Sequence, residues 1–586
     1  MSQPPAWLEN LRWRGLSETQ RFLLLAIFIG IFVGLLIVCF HITIDYVSWV
    51  TLGLPVGSNR LATAFAPMIG AALSGFLVLT VFRAARGSGV NHTKSALYVS
   101  NGYVPPSAVV GKFLACSLAI GTGNSLGPED PALHMGAGTA SLLGRLLRIG
   151  RENMRSVASV GAAAGLAAAF NTPITAVLFV IEEVIGAWNT AVMGSTVLSA
   201  VSAVVVARWF LGNEPLFRVP EFELTHPSEL LIYAGIGLVG GILASVFVRG
   251  IVRFRRWLDA KPRWFRYAAP ALGGLLTGCI GLLYAPVLGA GYGAVDSALH
   301  DQFPWEMLLT LGIVKILVTW ICFSAGTPGG MFAPTLFIGA MIGGGLGGLA
   351  HLYWPLETSS TNAYVLVGMG TFFAGVFRAP MTSIFMVFEV SATYVIIVPV
   401  MIANTIAYLV SRQFQPVPFF GLLARMEGLE LPSLEEQREA RPLRVEDAMR
   451  AQVLPKFSDR APVSAALAAL NSNGSPFGLI VRNDGKFSLV EEEKLRFATE
   501  VGNGAKEISI AFSLQPVPRI YPDMLLEAAL KQFGPHQVLP VFNRADSDQA
   551  LGTLHIDDVF HTYGVSPGRK ASWAEPEPAK LEEKAE

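Results

Sequence analysis

Gly127-Pro128-Glu129-Asp130-Pro131, followed by Gly136-Ala137, returns 203 residues later as Gly330-Met331-Phe332-Ala333-Pro334, followed by Gly339-Ala340. Each stretch sets glycines and a proline at the start of an apolar helix. A helix that begins inside a membrane points free backbone N–H groups and a positive dipole end at whatever lies ahead of it. Two such starts converging form an anion site that needs no lysine or arginine. The first start carries a carboxylate, Glu129, where the second carries Phe332.

The similarity extends beyond the opening motifs. Val160-Gly161 recurs as Val367-Gly368, Phe170-Asn171-Thr172-Pro173 as Phe377-Arg378-Ala379-Pro380, and Glu182 as Glu389. The offset moves only from 203 to 207 residues, a small loop insertion. The halves, roughly 61–211 and 267–411, are therefore expected to be structural units of an internal repeat, with a ligand site where they meet near the membrane midplane. An inverted arrangement is expected, although sequence alone does not show it.

Composition agrees. Hydrophobic residues make up 52% of the chain and charged residues 15%, and runs such as 22–40 and 307–323 approach the length of a membrane crossing. The fold class expected is an all-α polytopic membrane protein with broken intramembrane helices. No small-residue cleavage site follows the first apolar run, which excludes a secretory signal. Net charge is zero, so no bulk electrostatic attraction to nucleic acid is implied. Cys39, Cys116, Cys279 and Cys322 lie in apolar stretches without metal or disulfide spacing and are expected to be buried. Residues 1–20, with Trp7 and Trp13, are expected to lie at the interface. The basic stretch Arg249–Arg266 is expected to be a cytoplasmic loop, and Gly212–Ser228, with Glu214, Glu221 and Glu223, an outer one.

After Arg425 the chain becomes polar. Residues 427–441 form a charged linker, 442–564 two similar α+β modules, and 565–586 a tail expected to be disordered.

On these residues the chain resembles the CLC family of chloride channels and proton–chloride exchangers over about 20–430, and the polar part resembles a pair of CBS modules. Gly87-Ser88-Gly89-Val90 is similar to the family's serine loop, whose hydroxyl faces the anion. The resemblance implies anion contacts from Gly87, Ser88, Gly89, Gly330, Met331, Phe332 and Ala333, the last set through backbone N–H groups. Lys112, seventeen residues before Glu129, falls where the family has a lysine. Three departures stand out. Pro128 and Asp130 flank Glu129 in place of a basic residue and a glycine, Asn91 replaces a proline, and Phe420, or Phe419 with the register moved by one, falls where the family has an anion-contacting tyrosine.

Glu129 has two readings: a helix cap, or a tethered anion that competes with chloride and swings away when protonated. Asp130 adds a second acid beside it, a modulator of that gate together with Lys112. Glu183 has no partner in the repeat, where Val390 stands, and coincides with the family's inner proton-transfer glutamate. Glu129 and Glu183 together supply the two carboxylates a proton route needs. The expected activity is therefore chloride–proton exchange in a lipid bilayer, and the resemblance implies a homodimer. A passive voltage- or pH-gated channel is the alternative, with fluoride or nitrate selectivity open. The chain is not expected to be an enzyme, since no His-Glu-x-x-His or similar constellation lies in the membrane segments. The size and the lack of targeting segments suggest a bacterial inner membrane, with the CBS-like part cytoplasmic. No cofactor is expected in the membrane part. In the CBS-like part Asp558, six residues after Gly552, falls where such modules hold a ribose-contacting acid for an adenine nucleotide. Glu491 has the same spacing after Gly485.

Overall fold

The computed structural model describes residues 17–563 apart from 54, 55, 59, 151–152, 187–189, 214, 221–225, 356–357, 359, 430–442, 545 and 547. Residues 1–16 of the interfacial segment expected over 1–20, the three glutamates of the outer loop, the body of the linker and the tail all lie outside the described residues, while Ser17 caps a long helix that begins at Glu18. The chain divides into two compact units, Met1–Gln437 and Arg438–Glu586.

The first unit is helical and twofold repeated. Helices α1 (Glu18–Leu52), α2 (Arg60–Phe76), α3 (Gly89–Tyr98), α4 (Pro106–Gly121), α5 (Glu129–Leu146), α6 (Met154–Phe170), α7 (Pro173–Phe179) and α8 (Thr190–Leu211) make the first half. They are matched in order by α9 (Glu229–Asp259), α10 (Arg263–Leu283), α11 (Tyr292–Leu299), α12 (Trp305–Ser324), α13 (Phe332–Tyr353), α14 (Thr361–Phe377), α15 (Pro380–Ser391) and α16 (Ile397–Phe414). A final helix, α17 (Phe419–Met426), follows. Among the described residues eight helices are long and apolar enough to cross a membrane. Their outward faces carry large apolar side chains such as Leu24, Phe28 and Ile69, as lipid contact requires.

The breaks between helices have local causes. Asn171 ends α6 in the left-handed region at φ 59°, and Pro173 then opens α7. Their counterparts repeat this: Arg378 ends α14 at φ 59° and Pro380 opens α15. The long apolar run at 156–187 is thus two helices with a π turn at Val180–Ile185, whereas the run at 22–50 is one helix. The basic stretch expected to be a loop is instead the end of α9 and the start of α10, joined by three residues, 260–262. Of the cysteines, Cys116 and Cys322 are buried as expected, but Cys39 and Cys279 are exposed on the helix surface.

Two contacts fix how the halves meet. Glu389, near the end of α15, accepts from the N–H groups of Ile174 (2.9 Å) and Thr175 (2.7 Å) at the start of α7. Glu182, near the end of α7's extension, accepts from Thr382 N–H (2.9 Å) at the start of α15. Equivalent helices cap one another end to start, so α7 and α15 run antiparallel and the repeat is inverted. Glycines let the central helices touch: a Cβ at Gly343 of α13 would stand 2.6 Å from Gly368 Cα of α14.

The second unit holds two copies of a β-α-β-β-α pattern. In the first, β2 (Lys456–Ser458) pairs parallel with β3 (Phe477–Val481), which pairs antiparallel with β4 (Phe487–Glu491). Helix α18 (Val463–Asn473) connects β2 to β3 and α19 (Glu492–Ala498) follows β4. After the short helix α20 (Ile508–Ala511), the second copy runs through Ile520, which bridges in parallel to Val541. It continues with α21 (Leu526–Leu530), the antiparallel pair β5 (Val538–Phe542) and β6 (Ala550–His555), and α22 (Ile556–Thr562). Strand β1 (Arg450–Ala451) joins the edge of β6. Leu454, Leu479, Phe487, Val517 and Phe542 form a core shared by the two copies.

Candidate functional site

The two opening motifs bind each other. Gly127 N–H donates to Gly330 O at 2.8 Å and Gly330 N–H returns the bond to Gly127 O at 2.7 Å. Helices α5 and α13 therefore start side by side from one two-residue bridge. Pro131 and Pro334 stand third in each helix, where a missing N–H costs nothing. Helix geometry leaves the N–H groups of Phe332 and Ala333 without intrahelical acceptors.

Glu129 is fully buried at this junction. The Tyr292 hydroxyl donates to its Oε1. Its Oε2 accepts no hydrogen bond among the described residues, and a Cβ placed on Gly127 would collide with that atom while standing 3.0 Å from Ala333 N. The carboxylate thus lies beside the free end of α13. Tyr292 was not expected from the sequence, yet the repeat contains the clue: an offset of 203 places Ala290-Gly291-Tyr292 on Gly87-Ser88-Gly89. Tyr292 opens α11 behind Gly291, which adopts φ 87°.

The serine loop opens α3 in the same manner, with Gly87 at φ 93°. Its donors converge on Asp130. Ser88 Oγ donates to Oδ1 (3.0 Å), Gly89 N–H to Oδ2 (2.7 Å) and Val90 N–H to Oδ1 (2.9 Å). Ser88 N–H donates to Glu427 Oε1 at 3.2 Å. Glu427, read from sequence only as the first residue of the linker, is thus part of the loop's surroundings. Nothing in its local sequence signals this.

Lys112 and Lys315 occupy equivalent places in the repeat, each seventeen residues before a helix start. Lys112 donates to Gly87 O, and Lys315 to Val287 O (2.8 Å) and Gly289 O (2.7 Å). Both anchor the loop that precedes a short helix. Asn91 donates to Phe420 O at 3.1 Å and so ties α3 to α17. The Phe420 ring packs 6.2 Å from Phe332 and 5.2 Å from Phe377, centroid to centroid, and presents no hydroxyl.

Glu183 is buried and forms an ion pair with Lys94 of α3, itself nearly buried. The Lys94 ammonium also lies 5.9 Å from the Phe420 ring centre, which places it between Glu183 and the aromatic cluster at the start of α13.

Two cavities approach this constellation. One, of about 270 Å³, is lined by Gly87, Ser88, Arg86, Arg255, Arg263 and Arg266. The other, of about 570 Å³, is lined by Pro128, Gly291, Tyr292, His41 and Asp45.

In the second unit Arg450 grips Asp558 with two hydrogen bonds, Nε to Oδ2 at 2.6 Å and Nη2 to Oδ1 at 2.8 Å. Those bonds hold the Asp558 carboxyl below the usual carboxylate range. The strand registers change one sequence equivalence. Glu491 ends β4 as His555 ends β6, so Asp558, third in α22, faces Lys494 of α19 in the repeat rather than Glu491.

Residues 70–412 match the family model described as Voltage gated chloride channel. A ClcB-like chloride channel protein of Ralstonia nicotianae is 32% identical over 355 residues, 60% of this chain and 82% of that one. The H(+)/Cl(-) exchange transporter ClcA of Vibrio cholerae is 30% identical over 422 residues, 68% of this chain and 88% of that one. The solved structure of a slow cyanobacterial Cl-/H+ antiporter superposes with TM-score 0.65 at 26% identity, covering 72% of this chain and all of that one. With its repeat, its paired helix starts and this match, the chain belongs to the voltage gated chloride channel family of integral membrane proteins.

Proposed function

We propose that the protein exchanges chloride for protons across a membrane, with Glu129 as gate and outer proton carrier and Glu183 as inner proton carrier. The observation that carries this reading is the setting of Glu129. A buried carboxylate stands at the free end of α13, with Oε1 held by the Tyr292 hydroxyl and Oε2 beside the Ala333 N–H. A carboxylate there is a tethered anion, and an arriving anion must replace it. Neutralised by a proton, it loses its attraction to the helix end and leaves. Proton uptake and anion entry are thereby linked.

Glu183 supports exchange over passive conduction. It is buried, paired with Lys94, and has Val390 in its place in the second half. A purely structural acid gains little from such a position. Lys94 stands between Glu183 and the site and bridges part of the gap that a proton must cross. In this reading the Arg-lined cavity leads anions to Ser88, and the arginine-rich ends of α9 and α10 support a cytoplasmic mouth in a bacterial inner membrane.

In this reading the second unit is a cytoplasmic CBS-like pair that packs in a homodimer and modulates the membrane part, supported by its two β-α-β-β-α copies. An adenine nucleotide binding at Asp558 would have to displace Arg450.

The test uses purified protein in liposomes with an imposed chloride gradient and the voltage clamped by potassium and valinomycin. Uphill proton movement, abolished in Glu183→Gln while chloride flux persists, is the expected result. Chloride flux without proton movement in the unmodified protein would make it a channel.

A further inference from the structure

The serine loop holds an anion already, and it is the protein's own. Three donors, the Ser88 hydroxyl and the N–H groups of Gly89 and Val90, point at the two oxygens of Asp130 at 2.7 to 3.0 Å. The bond from Gly89 is the shortest of the three, and Asp130 is 3% exposed. The loop lines the arginine-rich cavity, so an anion arriving from that mouth meets Ser88 with its donors in use. Asp130 and Glu129 are neighbours on one helix start, yet they face different donors. Glu129 turns to Tyr292 of the second half and Asp130 to α3 of the first.

We infer that Asp130 is a second internal gate: chloride occupies the serine loop only after the Asp130 carboxylate has left it. This rests on the anion-transport reading and adds a residue to it. The consequence is quantitative. When a site is open for only a fraction of the time, the measured Kd is the intrinsic value divided by that fraction. An occupant that holds three donors keeps the fraction small. The chain then binds chloride weakly and turns over slowly at the loop, even when Glu129 is open.

The experiment is chloride titration calorimetry on the purified full-length protein in a chloride-free starting buffer, comparing the unmodified chain with Asp130→Gly. Asp130→Gly is expected to bind chloride at least about tenfold more tightly, and its melting temperature to rise more steeply with chloride. An affinity unchanged or weakened in the folded variant overturns the inference. Should the glycine variant fail to fold, Asp130→Asn keeps the shape without the charge. It is expected to tighten binding in the same direction, and an unchanged affinity overturns the proposal. Crystals of the unmodified protein soaked in bromide give a reading without any variant. No anomalous peak is expected within hydrogen-bond reach of Ser88 Oγ while Asp130 remains on the loop, and such a peak would refute it. Failure of the transport reading looks different: no chloride flux from liposomes in any variant, with the binding comparison still deciding the role of Asp130.

Discussion

Helices α5 and α13 begin alike and carry opposite chemistry. Each follows a glycine of the shared bridge, each has proline at its third position, and each buries most of its length. The first half then places two acids, Glu129 and Asp130, where the second places Phe332 and Ala333. The acids of one half are met by donors from both: Asp130 by α3 of its own half, Glu129 by Tyr292 of the other. The buried ion pair follows the same rule, since Glu183 and Lys94 have Val390 and Ser297 as counterparts. An inverted repeat builds a symmetric frame of helix starts and anchoring lysines. Substitution in one half alone makes that frame directional.

The comparison is most exposed at the buried ion pair. Lys94→Met should leave Glu183 buried and unpaired, at a cost of about 3–5 kcal/mol. Denaturation of the purified variant measures it. Adding Glu183→Gln should recover most of that loss, and a double-mutant cycle without coupling would show that the pair does not act as one unit. By contrast, Ser297→Ala at the equivalent place in the second half should change stability by less than about 0.5 kcal/mol.

The symmetric frame is tested next. Glu389→Ala and Glu182→Ala remove acceptors from equivalent helix starts, and each should cost about 1–3 kcal/mol with the proton-to-chloride ratio unchanged. A changed ratio in either would move these acids from scaffold to proton path.

Tyr292→Phe removes the hydroxyl that holds Glu129. A hydrogen bond to a charged group contributes about 1.5–3 kcal/mol, so on the proposed gating role of Glu129 chloride flux at neutral pH should rise severalfold. The equivalent loop of the first half offers no hydroxyl to Glu129, and Ser88→Ala should leave the hold on Glu129 intact.

A small effect is expected in the second unit. Asp558 titrates below its ordinary value because Arg450 binds it. Its contribution to stability is therefore present above the unfolded carboxylate pKa and is lost as pH falls through the lowered folded value. The pair is largely exposed, so Arg450→Ala should cost under about 1 kcal/mol. That difference should vanish in melts at strongly acid pH.

Much of this was written in the chain order. The Gly-Pro starts, the constant offset and the paired acids Glu182 and Glu389 disclosed the repeat, because helix breaks need residues that are visible one at a time. Tyr292 was recoverable from the same offset applied to the serine loop. Lys94 and Glu427 were not. Their roles depend on side chains crossing from α3 to Glu183 and from the end of α17 to Ser88, and no local periodicity encodes such contacts. The occupant of the serine loop was missed for a related reason. Asp130 was legible as a departure from the family pattern, but its direction, away from Glu129, belongs to the packing of α3 on α5.

The most direct test of the directional frame is chloride and proton flux recorded together from liposomes holding Glu129→Gln. A neutral side chain at the free end of α13 should let chloride pass at an equal or higher rate while proton movement stops. Proton-coupled chloride movement at the ratio of the unmodified protein would contradict the account, because the gate would then lie elsewhere.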